Sequence, residues 1–399
     1  MSARGVACEV VRRTFEEDAY TNRAFRAEAE RAELDDRERR QAMRLAFGTV
    51  QRVRTLDHAL ESLAGRPAGE LQPTLRAALR IGAYQLLFSE GVPAHAAVNE
   101  TVELCKRVAG LHTAGLANAV LRRISAAGPE WVAGLPVALR HSYPDWVARE
   151  WEEMLGAEDA EAVMAAQNEP PELSVRMNSL RARDVDLGVP AHRDPDLPEA
   201  LVIDAPFDVA GSEELAAGLI WPQSRAAMLP ARLLAPEPGM RVLDLCAAPG
   251  GKAGQLAALM ENRGELVCVE RHAGRAGALH ATLDRFGASC ARVVEVDALE
   301  FSEAGFDRIL LDPPCSGLGV LAGRPDARWR GSEAAADRMA ETQRRMLEHA
   351  RTLLAPGGRL VYSVCTIRRA EGEEVLAGGR QTLPHRDGTD GFYMAAIDA

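Results

Sequence analysis

The spacing of apolar positions changes along this chain, from a helical period in the first third to short buried runs in the last. In one predicted helix Leu75, Leu79 and Ala83 share a face, and Arg80 lies on the opposite one. Comparable patterns recur up to a glycine-proline pair at the end of this region. They predict an all-helical domain over residues 1–128.

The middle of the chain gives a mixed pattern. Residues 141–168 look helical, and residues 173–178 have the β-branched and apolar alternation of a strand. The stretch 183–213 is rich in aspartate and proline and has weak periodicity, so no element is assigned there. We expect a small α/β subdomain over residues 140–235.

From residue 240 onward, short apolar runs alternate with helical stretches such as 252–262 and 333–354. This alternation predicts a doubly wound, Rossmann-like α/β sheet with parallel strands, over residues 236–399. Ligands of such a sheet bind at the carboxyl ends of its strands. The predicted strands are residues 242–245, 265–270, 292–296, 308–311 and 359–363.

The net charge, the apolar runs and the cysteines of the chain argue against several classes of protein. The net charge of −11 argues against a protein that coats nucleic acid by charge alone, although residues 1–126 carry a balance of +3. No apolar run of membrane-spanning length and no secretory signal is recognised. The seven cysteines form no Cys-x-x-Cys pair. We therefore expect neither a disulfide framework nor a zinc site. We also expect the protein to work in a reducing cytoplasm and to have no membrane partner.

A glycine turn, Asp-Leu-Cys-Ala-Ala-Pro-Gly-Gly-Lys at 244–252, follows the first of these strands. It is not a P-loop, because Ala253 follows the lysine. Glu270 ends the second strand, where a carboxylate can accept hydrogen bonds from both ribose hydroxyls. Asp297 follows the third strand and could meet an adenine amino group. Ribose and adenine without a phosphate site favour S-adenosylmethionine over NAD.

Two cysteines follow two further strands, each within a turn motif: Cys315 in residues 312–317 and Cys365 in residues 362–366. Together with a cofactor turn, two thiols fit methyl transfer to carbon 5 of a pyrimidine. That carbon becomes nucleophilic only after a thiolate has added to carbon 6. A second group must assist elimination, and an acid near N3, such as a carboxyl held protonated, could donate a hydrogen bond. Asp312 and the two cysteines supply these parts.

The three motifs together resemble the signatures of the RsmB/Sun family of RNA cytosine-5 methyltransferases. Residues 324–329 and 387–392 match as well. Three N-terminal segments resemble a NusB-like helical RNA-binding domain, a fusion typical of the family's bacterial 16S rRNA enzymes: residues 83–88, 97–100 and 117–122. The resemblance spans nearly the whole chain and implies methylation of cytosine C5 in 16S rRNA.

By this resemblance, Cys365 matches the covalent nucleophile and Cys315 matches the cysteine that assists product release. The residues that match the family's S-adenosylmethionine contacts are Cys246, Ala247, Ala248, Pro249, Gly250, Gly251, Lys252, Glu270, Asp297 and Asp312. The family usually has aspartate where this chain has glutamate at 270, which keeps the ribose contact with a longer reach.

The chain departs from the family pattern in three places. Gln223-Ser224 replaces a Gln-Asp pair before the catalytic domain, and Glu371-Gly372 replaces Glu-Asn after the second cysteine. Residues 179–206 and 376–386 are also short. The first and third departures concern how RNA is held, and none touches the core chemistry.

Two other interpretations remain open. Amino-group methyltransferases also use an Asp-Pro-Pro turn, but usually with an aromatic residue next, where this chain has Cys315. A NusB-like RNA-binding protein with a non-catalytic methyltransferase scaffold is the second. For the substrate we expect 16S rRNA, free or partly assembled, because the target base must leave any stack. A monomer is the default expectation.

Overall fold

The computed structural model describes residues 2–399, which divide into two compact units. The helical unit joins the chain up to Glu169 with a later segment, Leu321–Arg330, and the sheet unit contains Pro170–Val320 and Gly331–Ala399. Within residues 2–399 no helix combines the length and apolar character needed to cross a membrane.

The helical unit buries one apolar stripe from each of its long helices. Ser2 and Asp35 cap two of these helices by accepting backbone N–H groups. Arg80, expected on a polar face, is instead buried, and its guanidinium donates to both carboxylate oxygens of Asp57 at 2.7 Å. The α-helices before the later segment are Ala3–Glu16, Thr21–Arg31, Asp36–Gln51, Val53–Ala64, Pro73–Phe88, Ala94–Ala109, Ala114–Ala127, Glu130–Ala133, Val137–Arg140, Asp145–Leu155 and Ala157–Ala166.

The segment Leu321–Arg330, here called the strap, leaves the sheet unit and folds into the helical one. Arg328 is 1% exposed, and its Nη1 donates to the carbonyl oxygens of Gln51 at 3.1 Å and Ser142 at 3.0 Å. Trp329 Nε1 donates to the Val50 carbonyl at 2.7 Å. Burial lowers the pKa of Arg328 to about 10. The strap thus satisfies carbonyls at a helix C-terminus, which otherwise have no partner.

A small antiparallel sheet opens the sheet unit. Its strands are β1 (Ser174–Met177), β2 (Ala191–Arg193), β3 (Ala200–Ile203) and β4 (Ile220–Pro222), in the order β2-β3-β1-β4. β2 and β3 lie in the stretch that the sequence left unassigned. Two helices accompany this sheet, Glu213–Ala216 and Arg225–Leu234.

The larger sheet has the strand order β10-β11-β9-β8-β5-β6-β7. Its strands are β5 (Arg241–Asp244), β6 (Glu265–Glu270), β7 (Ala291–Glu295), β8 (Phe306–Leu311), β9 (Leu354–Val364), β10 (Arg380–Gln381) and β11 (Tyr393–Asp398). Its helices are Gly251–Leu259, Ala273–Phe286, Glu333–Thr352 and Pro384–Asp387. The predicted multidomain fold, with a helical N-terminal domain and a Rossmann-like sheet, is confirmed.

The five strands predicted from the sequence are parallel, as expected, and the sheet has two further strands at one edge, β10 and β11, that were not predicted. β5 to β9 are parallel, but β11 runs antiparallel to β9, and β10 antiparallel to β11. A parallel return needs a crossover of a dozen or more residues, usually through a helix packed on the sheet. Between β9 and β11 the chain forms only turns, single helical turns and a two-residue strand, so it returns in the opposite direction.

Candidate active site

Every chemically active side chain predicted from the sequence lies at the carboxyl edge of the parallel strands. Cys246 follows β5, Glu270 ends β6, and Asp297 follows β7. Asp312 follows β8, and Cys365 follows β9. Because β5 lies between β8 and β6, the cysteine loops occupy one side of this edge and the carboxylates expected at the nucleoside occupy the other.

The two cysteines predicted to act together are in contact. Cys315 Sγ lies 3.3 Å from Cys365 Sγ, and either sulfur has the geometry to donate. The hydrogen bond with Cys365 and burial raise the pKa of the Cys315 thiol well above its usual value, and the charges of Cys365, Glu371 and Asp312 add to this. Cys315 is therefore the better candidate for the protonated, donating partner.

Backbone contacts hold the two cysteine loops against each other. Ser316 Oγ lies 2.7 Å from Thr366 Oγ1, and the Gly319 N–H donates to the Cys365 carbonyl at 3.0 Å. Gly391 N in turn donates to the Gly319 carbonyl at 2.8 Å. The close approach of the sulfurs is thus built into the packing of three loops.

Asp312 bridges the thiol side and the cofactor turn. Its Oδ2 accepts from Lys252 Nζ at 2.7 Å, and its Oδ1 accepts from Ser363 Oγ at 3.0 Å. Burial opposes the charge of Lys252, but the charge and hydrogen bond of Asp312 together with the charges of Cys365 and Asp244 raise the lysine's pKa. Lys252 Nζ also lies 5.2 Å from the ring centroid of Phe392. Asp312 is here an acceptor at both oxygens, whereas the sequence led us to look for a donating carboxyl.

The carboxyl group with a raised pKa is Asp244, at the end of β5. It is fully buried, and neither of its oxygens has a partner with hydrogen-bond geometry. Burial and the charge of Asp312 raise its pKa to about 7, against the opposing influence of Lys252 and the Cys246 amide. An unpaired carboxyl beside a glycine turn fits the amino group of S-adenosylmethionine, which would supply the missing donor.

The glycine turn has a backbone conformation and a close packing that leave no room for side chains at its two glycines. Gly250 has φ +109°, a conformation that side chains rarely adopt. A Cβ on Gly251 would lie 2.8 Å from Trp221 Nε1. Arg275 fixes the turn to β6: its Nη2 donates to the Ala248 carbonyl at 2.9 Å, and its Nε lies 3.3 Å from Glu270 Oε2. The residues present therefore fit the predicted cofactor.

The two carboxylates predicted at the nucleoside are each anchored by their own turn. Glu270 Oε1 accepts from the His272 N–H at 2.9 Å, and Asp297 Oδ1 accepts from the Leu299 N–H at 2.9 Å. Each thus has one oxygen held by an amide two residues later. Burial and the charges of Asp244, Asp312 and Glu270 raise the pKa of the Cys246 thiol, which disfavours the thiolate that a nucleophile needs.

One supporting residue was missed by the sequence reasoning. Arg176 of β1 is 1% exposed; its Nη2 donates to the Gly251 carbonyl at 3.2 Å and its Nε donates to Gln223 Oε1 at 3.0 Å. Burial lowers its pKa to about 10. The small sheet therefore supports the cofactor turn. The available signal was an arginine between the apolar residues Val175 and Met177 of a predicted strand.

A Rossmann-like sheet with a glycine turn after its first strand, acidic residues ending the next two and two opposed thiols defines an S-adenosylmethionine-dependent methyltransferase. Comparisons with known proteins agree. The model of the 16S rRNA methyltransferase RsmB/F matches residues 231–378, the NusB family model matches residues 1–126, and the RsmF/B ferredoxin-like domain model matches residues 143–210.

Relatives cover the whole length. The probable ribosomal RNA small subunit methyltransferase B of Bacillus subtilis is 30% identical, over 99% of this chain and 98% of its own. The protein of the same name from Synechocystis is 31% identical, over 100% and 99%. The solved structure of PH0851 has a TM-score of 0.83 at 25% identity, covering 99% of this chain and 98% of that one. The chain belongs to the RsmB/F family of RNA methyltransferases, and its cofactor is S-adenosylmethionine.

Proposed function

We propose that this chain methylates carbon 5 of a cytosine in 16S rRNA through a covalent adduct with Cys365. The contact of 3.3 Å between the sulfurs of Cys315 and Cys365 carries this proposal. An amino-group methyltransferase has no use for two opposed thiols, whereas a C5 enzyme needs a thiolate that adds and a second group that helps it leave.

In the first step the Cys365 thiolate adds to carbon 6 and forms a sulfur–carbon bond. A thiol of Cys315 donating to the Cys365 sulfur would keep the negative charge on Cys365 until the base arrives. The electron pair displaced from the carbon 5–carbon 6 double bond makes carbon 5 nucleophilic. S-adenosylmethionine supplies the methyl group that carbon 5 receives.

Release requires a base for the proton on carbon 5, and a protonated thiol cannot serve. Once Cys365 is bonded to carbon 6, the hydrogen bond between the sulfurs and the charge of Cys365 are both lost. These are among the causes that hold the pKa of Cys315 high. Cys315 can then lose its proton to solvent, and this is the one proton that each turnover releases. The Cys315 thiolate takes the carbon 5 proton, while the electron pair of that carbon–hydrogen bond re-forms the ring double bond, the sulfur–carbon bond breaks and Cys365 returns to its thiolate. The starting state of both sulfurs is restored.

Asp312 and Lys252 form the ion pair next to the thiols, and we assign them to the pyrimidine N3 side. Charge develops at N3 when a thiolate adds to carbon 6, and a hydrogen bond there stabilises it. In this pair Lys252 carries the proton and would donate to N3, and Asp312 orients the ammonium group. The run from Cys246 to Lys252, with Glu270, Asp297 and Asp312, holds the cofactor in this proposal.

The helical region, residues 1–128, is proposed to hold the RNA, and residues 140–235 and 236–399 to form the methyltransferase module. Arg12 and Arg13 already pair with glutamates of their own helical unit, so contact with phosphates would require exchange of partners. We further propose that the enzyme acts as a cytoplasmic monomer on free or partly assembled 16S rRNA.

The test compares Cys365→Ala, Cys315→Ala and, as a matched control, Cys290→Ala. Each is incubated with S-adenosylmethionine and unmodified 16S rRNA, and 5-methylcytosine and gel-stable protein–RNA adduct are measured. Transcripts containing 5-fluorocytosine are run in parallel, because only the cysteine route traps an adduct with them.

Cys365→Ala should lose both product and adduct, Cys315→Ala should accumulate adduct, and Cys290→Ala should behave like the wild type. Continued methylation by Cys365→Ala would overturn the covalent mechanism and favour the amino-group alternative. Intact turnover by Cys315→Ala would remove the release role from Cys315.

A further inference from the structure

Three buried polar side chains, none of them given a role so far, surround the backbone of the Cys315 loop. Gln343 comes from the helix Glu333–Thr352, Tyr362 from β9, and Glu371 from the short 3-10 helix Arg369–Glu371. All three are fully buried. We call them the clamp.

The clamp fixes the peptide groups on both sides of Cys315. Gln343 Nε2 donates to the Pro314 carbonyl at 2.8 Å, and the Ser316 N–H donates to Glu371 Oε1 at 2.9 Å. The same Oε1 also accepts from Gln343 Nε2 at 3.0 Å. One amide and one carboxylate oxygen thus hold the residue before and the residue after the cysteine.

Tyr362 closes the arrangement. Its hydroxyl oxygen lies 2.5 Å from the Glu371 carbonyl oxygen and 3.1 Å from Gln343 Oε1. Because Tyr362 stands three residues before Cys365, the clamp connects the backbone of one cysteine loop to the strand that carries the other.

Burial of the Glu371 carboxylate costs free energy, and packing contacts alone would not compensate for that cost. Its Oε2 is buried and has no hydrogen-bond partner, so part of its hydration is lost without replacement. A glutamine would make the same Oε1 contacts without a charge. Buried polar atoms without a partner are rare in folded proteins.

We propose that Glu371 is a positioning residue for adduct release, which holds Cys315 against Cys365 through the Ser316 N–H. The inference rests on the proposed release role of Cys315. Glu371 touches neither cofactor nor reacting base in this assignment. Loss of its Oε1 would leave the Ser316 N–H unsatisfied and let the Cys315 loop drift from the 3.3 Å contact.

The test uses the full chain, with single-turnover and steady-state assays on 16S rRNA. Glu371→Ala removes the acceptor, and Glu371→Gln keeps an oxygen in its place. Glu373→Ala removes an exposed carboxylate two residues further along and serves as the matched control. Cys315→Ala is run beside them as the reference for blocked release.

Glu371→Ala should accumulate adduct and lower kcat about tenfold or more, with KM for RNA changed less than about threefold. Glu371→Gln should restore release to within about threefold of the wild type. Glu373→Ala should match the wild type. A purely structural role would lower the folded fraction without raising the adduct per folded molecule.

Two failures are distinguishable. If Cys315→Ala itself accumulates no adduct, the proposed release role falls. If Cys315→Ala accumulates adduct and Glu371→Ala does not, the positioning role of Glu371 falls. Should Glu371→Ala fail to fold, Glu371→Met replaces it, since methionine fills a similar space without an oxygen to accept from the Ser316 N–H; rapid release by this variant would equally overturn the proposal.

Discussion

The buried carboxyl of Asp244 makes the stability of the cofactor-free protein depend on pH. Its pKa rises from 3.8 in the unfolded chain to about 7 in the fold, because burial and Asp312 both disfavour the charge. A raised carboxyl pKa means that the folded state binds the proton more tightly. The stabilisation that comes from the protonated Asp244 carboxyl is therefore fully present below its pKa in the unfolded chain. It is lost as the pH rises through the pKa of Asp244 in the folded protein.

The size of the effect follows from the two pKa values. Between about pH 5 and about pH 8 the linkage amounts to about 3 kcal/mol of unfolding free energy, lost towards high pH. Asp244→Asn removes the titration while keeping the shape of the side chain. Relative to the wild type, this variant should therefore gain about 3 kcal/mol over the same pH interval.

The assay is urea unfolding without S-adenosylmethionine at several pH values, read by hydrogen exchange of peptides from the seven-stranded sheet. Asp284→Asn, on an exposed helix face, controls for the loss of one carboxylate. A wild-type minus Asp244→Asn difference that stays constant across the pH range would refute the reasoning, because the carboxyl would then titrate alike in both states.

Three further changes test other parts of the structure. Arg328→Met should lower the stability of the helical unit by about 3 kcal/mol in urea unfolding, because the carbonyls of Gln51 and Ser142 lose their donor; the exposed Arg338→Met should not, and equal midpoints would contradict the role of the strap. Gly319→Ala should abolish methylation but leave cofactor binding intact, because its Cβ would lie 1.8 Å from the Gly391 carbonyl oxygen, whereas Gly277→Ala meets open space. Arg176→Met should weaken S-adenosylmethionine binding about tenfold in calorimetry, since the Gly251 carbonyl loses its donor; an unchanged Kd, equal to that of the exposed Arg183→Met, would show that the small sheet does not support the turn.

The sequence was most informative where function lies at strand ends. Cys315 and Cys365 are 50 residues apart, yet both follow predicted parallel strands, and such strands bring their carboxyl ends to one edge. Their apposition could therefore be anticipated without coordinates. The position of Asp244 was equally readable, but its raised pKa was not, because that depends on the density of atoms around it.

Contacts between distant polar residues escaped prediction. Arg80 was expected on a solvated helix face. The periodicity of one helix does not reveal that Asp57, on another helix, forms an ion pair with it. The sequence near Gln343 and Glu371 likewise does not predict their role, because that role depends on their hydrogen bonds to the Cys315 loop. The antiparallel edge was missed because β11 follows turns instead of a recognisable crossover.

The strap also has a consequence for the order of folding during synthesis. The helical unit includes residues that the ribosome adds roughly 160 positions after Glu169. At about 5–20 residues per second, roughly 8–30 seconds separate these two parts of one domain. Throughout that interval the carbonyls later bound by Arg328 and Trp329 have no donor from the strap. The nascent helical unit is then less stable than the mature one, and it completes folding only after most of the sheet unit has been translated.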